Sequence, residues 1–207
     1  MRVREMLTYL STALPQFTSP SARMLALQCA LRSNSRGQVT LPDGLLRSMR
    51  LQGRRELWLE LAQAGWLQAP RPRPGAVTAY LLDATVLDQA PGRGERHRAA
   101  HWALRPAPLV LSAVAPAALR LTALVLASHC VRSPDGTGDM AAVSRLCGHH
   151  PQQTKELLDR LVAARTLVSW RYHEDTDEVL WRFPQQKPRS LADKEGRPYN
   201  WPYPERQ

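Results

Sequence analysis

Between Pro151 and Phe183 the chain changes its hydrophobic period once, and that change limits what this stretch can fold into. Leu157, Leu158, Leu161 and Val162 recur at helical spacing, so Pro151–Arg165 reads as a helix with one apolar face. Pro151 suits its first position, where a missing N–H costs nothing. The runs TLVSWRYH (166–173) and EVLWRF (178–183) then alternate apolar and polar residues across the polar turn EDTD. That is the pattern of a hairpin with one buried face. Upstream, Pro116–Val131 (PAALRLTALVLASHCV) is an apolar helix suited to lie beneath them, and SPDGTG reads as a turn. Asp139 is a good N-cap for a short helix, Met140–Cys147, and Gly148 with His149 and His150 makes the next turn.

Helix, helix, turn, helix, hairpin is the winged-helix order. The segment LLDRLVAARTLVSWRYHEDTDEVLWRF resembles the recognition-helix-plus-wing segment of MarR-like and related bacterial winged-helix regulators. The resemblance covers residues 112–183, lies at the level of the fold and singles out no one family. It implies docking on duplex DNA.

The first part of the chain repeats the theme. Ala22–Arg32 reads as a helix, GQVTL (37–41) as a short strand, and Pro42 and Asp43 open a helix through Arg50. Arg54–Ala64 carries Leu57, Trp58 and Leu61 on one face and stops at Gly65. Trp66-Leu67 starts a strand, RPRPG is a loop or wing tip, and AVTAYLLD returns. The parallel between ELWLELAQAGWL and ELLDRLVAARTL points to a structural repeat. The expected fold is therefore mainly α, of the α+β class, with two winged helix-turn-helix domains in tandem. The first domain, with an N-terminal extension, spans 1–88, and a basic Pro/Arg-rich connector with little to bury spans 89–108. The second domain spans 109–183. The Pro-rich tail, 184–207, is expected to be extended or disordered.

Charge indicates the partner. The chain carries 28 Lys and Arg against 18 Asp and Glu, a formal net charge of +10, which argues for a polyanion. Residues 1–70 hold nine basic and four acidic residues, whereas 111–183 hold eight of each. The grip on phosphates is thus expected from the first domain and connector. There, Arg47, Arg50, Arg54 and Arg55 gather around the turn and the start of the first recognition helix, and Arg71 and Arg73 lie on its wing. In the second domain, His149, His150, Gln152, Gln153 and Lys155 are the expected DNA contacts at the recognition helix. Arg171 and His173 are those on the wing. Glu156 and Asp159, and a wing tip of Glu174, Asp175 and Asp177, would repel phosphate. An outward Leu59 flanked by acids reads more like a protein contact.

Catalysis finds no foothold. No phosphate-binding Gly-rich loop, H-E-x-x-H or G-x-S-x-G occurs, so no enzymatic activity and no cofactor are expected. His129, Cys130, Cys147, His149 and His150 are capable metal ligands, but their spacing matches no established zinc module; they read as turn histidines and core thiols. No apolar run is long enough to span a membrane, and the expected location is the cytoplasm, on the nucleoid. The expected function is sequence-specific double-stranded DNA binding by a bacterial transcriptional regulator, with a homodimer or an intramolecular pseudo-dimer both open. The alternatives are a plasmid replication, partition or conjugation protein, or an architectural subunit like the kleisin-associated tandem winged-helix subunits.

Overall fold

The structure, a computed structural model, describes residues 3–83, 92–106, 109, 115–130 and 133–185. The chain is α+β, with helices and two small antiparallel sheets. Helix α1 (Val3–Ala13) leads into α2 (Pro20–Arg32), β1 (Gln38–Pro42), α3 (Asp43–Ser48), α4 (Arg55–Gln63), β2 (Arg71–Arg73) and β3 (Ala76–Tyr80). Helix α5 (Arg93–Leu104) precedes α6 (Ala117–His129), β4 (Asp135–Asp139), α7 (Met140–Cys147), α8 (Pro151–Ala163), β5 (Ser169–His173) and β6 (Glu178–Arg182). The order helix, strand, helix, helix, strand, strand thus occurs twice, from α2 to β3 (unit one) and from α6 to β6 (unit two). In both sheets the third strand lies between the first and the second.

Local chemistry sets the helix ends. Ser19 caps α2 by accepting from the Ala22 amide, with Pro20 in the first turn. Glu60 in turn receives the Ser19 amide and hydroxyl at 2.5 and 2.7 Å, which ties α4 to the start of α2. Asp139 caps α7 by accepting from the Ala142 amide at 2.7 Å. Gly148 closes α7 in the left-handed region at φ 72°, where glycine carries no Cβ penalty.

The core lies where the units meet. Helix α2 is buried on every side from Ser21 to Leu31, and α6 from Leu121 to Ser128. These two helices pack on each other; α4 covers α2, while α7 and α8 cover α6. Helix α1 lies across α2, α6 and α7, and α5 lies on α2.

Four sequence expectations need correction. SPDGTG is not a turn: Asp135–Asp139 is a strand, paired along its whole length with β6. It escapes a pattern search because its inward positions are the glycines 136 and 138, and at Gly136 the packing leaves no room for a side chain. A Cβ on Gly136 would lie 2.4 Å from the Trp181 ring and 2.6 Å from Cys130 Sγ. RPRPG is not all loop, since Arg71–Arg73 pairs with β3 and only Pro74-Gly75 makes the tip. Trp66-Leu67 starts no strand; Leu67 makes a single bridge to Leu81. The connector does bury surface. Arg93–Leu104 is helical, with Arg96, Ala99 and Ala100 buried, and the Ala100 carbonyl accepts from Gln28 Nε2 at 3.1 Å. The tail beyond 185, the end of the expected first domain (84–88), the connector residues 89–91 and 107–108, and the end of the expected helix at Val131 lie outside the described residues.

Candidate nucleic-acid interface

In unit one, the turn between α3 and α4 and the β2–β3 hairpin present one set of cations. Arg47, Arg50, Arg54, Arg55, Arg71 and Arg73 are all exposed. Arg50 holds the turn open in the left-handed region at φ 60°, and Gly53 follows at φ 74°. Arg47 donates from Nε to Gln52 Oε1 at 3.0 Å, and Arg54 pairs with Glu56. The side chains of Arg50, Arg55, Arg71 and Arg73 have no hydrogen-bond or ion-pair partner among the described residues. The hairpin tip lies at the start of α3, where the Gly75 carbonyl accepts from the Asp43 amide at 2.9 Å. The hairpin tip is thus beside the start of α3, and the turn with its arginines follows at the other end of that six-residue helix. Glu60, the other acid on α4, is turned away on Ser19. Leu59 is 41% exposed on the remaining face.

Unit two is different. His149, expected as a DNA contact, is buried at 5% exposure in the junction between units, so it offers nothing to a groove. Its burial and the nearby Arg23 guanidinium hold the imidazole below its ordinary value, against a hydrogen bond to Gln153 that favours the charged form. His150 is exposed but accepts from the Gln152 amide as the cap of α8. Gln152 and Gln153 are exposed on the first turn. Lys155 lies 3.9 Å from the Tyr172 ring centre, a cation–π contact that holds it on its own hairpin. Asp159 accepts from Trp170 Nε1 at 2.9 Å, and Asp177 from the Tyr172 hydroxyl at 2.7 Å, so two of the acids brace the hairpin. Arg171 and His173 are exposed, whereas Arg182 pairs with Asp135.

The five capable metal ligands are dispersed into separate roles. His129 meets Trp181 edge-on at 5.8 Å, and Trp181 Nε1 donates to Cys130 Sγ at 3.2 Å. Cys147 is fully buried, which pushes its thiol up to about 12. Among the described residues no group of three or more His, Cys, Asp or Glu stands together as a metal site. No helix among them is long and apolar enough to cross a membrane.

Sequence reasoning overlooked two residues, Arg23 on α2 and Arg120 on α6. Arg23 is buried and donates to the carbonyls of Thr18, Pro15 and Gln16 at 3.2, 2.9 and 2.9 Å. Arg120 donates from Nη1 to the Met49 carbonyl at 2.9 Å. The available signal was that each lies one turn into a helix whose neighbouring positions are all apolar or small. No family model, curated protein or solved structure matches the chain.

Proposed function

We propose that the protein binds double-stranded DNA through two winged-helix units in tandem, as a transcriptional regulator does, with unit one making most of the phosphate contacts. The observation that carries this reading is the set of six exposed arginines on the α3–α4 turn and the β2–β3 hairpin, four of them unpaired. Unpaired arginines need not give up an internal partner to meet a phosphate, and their planar fork suits phosphate oxygens. In unit two, Gln152 and Gln153 on the first turn of α8 are suited to base edges, because a carboxamide pairs bidentately with adenine. That unit contributes selectivity with little charge.

The test is fluorescence anisotropy on a mixed-sequence duplex at low salt. Binding is expected, with the Arg55→Ala, Arg71→Ala, Arg73→Ala triple variant weakened at least tenfold and Arg171→Ala, His173→Ala weakened much less. Absence of duplex binding, or equal losses from the two units, contradicts the reading. The exposed Leu59 favours a second reading, an architectural subunit that uses α4 for protein contact. Size-exclusion chromatography with and without duplex separates the two.

A further inference from the structure

The two units match element by element, in a register that shifts by three residues between the first strand and the end of the last helix, and the way they meet is reciprocal. Their first helices start at the equivalent positions Ser19 and Pro116, which share backbone angles although only Ser19 caps with its side chain; their first strands run Gln38–Pro42 and Asp135–Asp139, and the next helices start at Asp43 and Met140. The turns that follow repeat the same backbone bond, Leu51 N to Leu46 O and His149 N to Ser144 O. The last helices end with Trp66 N to Leu61 O and Thr166 N to Leu161 O, after Gly65 and Arg165, both at positive φ.

On this match Arg23 and Arg120 are the same residue. Each lies against the C-cap of the other unit's short helix. Arg120 takes the carbonyl of Met49, the cap of α3, and the Arg23 guanidinium lies over Gly148, the cap of α7. A helix C-terminus favours a cation through its dipole; Arg120 also takes a carbonyl there, whereas the hydrogen bonds of Arg23 go to Pro15, Gln16 and Thr18 just before its own helix. The leading helices also reach across: α1, besides packing on α2, lies on α6 and α7 of unit two, and α5 lies on α2 of unit one. Exchanged helices and a self-complementary contact are the marks of a two-fold dimer. Here both halves belong to one chain.

Resting on the DNA-binding reading, we infer that the chain is a fused pseudo-dimer whose partner is a duplex site with two unequal half-sites at one fixed spacing, occupied by one chain. A two-fold relation pairs α4 with α8, the arrangement by which dimeric helix-turn-helix proteins meet successive half-sites. The halves are unequal because unit one offers free arginines, whereas unit two offers His150, Gln152 and Gln153 above an acidic hairpin tip. The site is therefore not a palindrome.

The experiment is selection of the full chain on a random duplex library, followed by native mass spectrometry and affinity measurement on the enriched site. Two dissimilar half-sites and one chain per duplex are expected. Inserting five or ten base pairs between the half-sites is expected to weaken binding at least tenfold in both cases, since the junction fixes distance as well as phase. A palindromic site holding two chains, or a single half-site bound as tightly as the whole, overturns the inference and leaves DNA binding standing. Enrichment of no duplex at low salt removes both.

Discussion

Replacing Gly148 with alanine probes the junction between the units, and the structure supplies its own control. Gly148 and Gly65 both lie in the left-handed region, at φ 72° and 69°. An L side chain there costs roughly 1–2 kcal/mol. A Cβ on Gly65 meets nothing within 4 Å, and Arg165 already occupies the matching position of unit two at φ 55°. Gly65→Ala should therefore lose only about 1–2 kcal/mol. At Gly148 the same Cβ would lie 2.4 Å from Arg23 Nε and 2.8 Å from the Gln16 carbonyl. The guanidinium cannot swing aside freely, because the carbonyls of Pro15, Gln16 and Thr18 hold it. Overpacking of this kind adds about 1–3 kcal/mol, so Gly148→Ala should lose about 2–5 kcal/mol in all. Urea unfolding by linear extrapolation measures both losses. In an Arg23→Ala background the cost of Gly148→Ala should fall towards that of Gly65→Ala, a coupling that a double-mutant cycle isolates. Equal losses for the two single glycine variants, or a cycle that closes without coupling, would refute the packing of Arg23 on unit two.

Other expectations are local. Asp139→Ala removes the α7 cap and should cost about 1 kcal/mol in urea unfolding. Gly136→Ala should cost about 1–3 kcal/mol more than Gly138→Ala, because a Cβ at 138 meets no atom closer than 3.4 Å. His149 gives a pH dependence. Its imidazole is held neutral below the ordinary value of 6.5, so the unfolded chain takes up a proton that the folded one refuses. Stability is then present above about pH 6.5 and lost as pH falls towards the lowered value, by up to about 1.4 kcal/mol per pH unit. His149→Asn should flatten that slope when urea midpoints are compared between pH 7.5 and 5.5. Some slope should remain, since His129 is lowered in the same direction by burial.

What was legible in the sequence is what has a period. The α8 helix and the hairpin after it announce themselves through Leu157, Leu158 and Leu161 and then through alternation; those three leucines are buried as expected, while Val162 is half-buried and Thr154 is buried beside them. Strand β4 carries no such signal, because Gly136 and Gly138 fill its inward positions and its strand character comes from pairing with β6. Helix α5 buries mostly alanine, so its contact face looks like any small-residue stretch among arginines. His149 shows the limit of helical-wheel reasoning. It precedes its helix, and the turn points it into the junction while the cap role falls to His150. For Arg23 and Arg120 the sequence shows only a cation among apolar neighbours: an arginine is ordinarily a surface residue, and only tertiary structure shows carbonyls waiting for it. Among the expected DNA contacts, those of unit one are all exposed, while Lys155 is held on Tyr172.

The salt dependence of duplex affinity tests the central claim most directly. For phosphate contacts made chiefly by unit one, log affinity should fall linearly with log salt, and each neutralised phosphate should contribute about −0.9 to the slope. Neutralising Arg55, Arg71 and Arg73 together should make the slope shallower by about 2.7, at about 0.9 for each contact. A slope near zero for the wild type, or one left unchanged by the triple variant, would contradict the account.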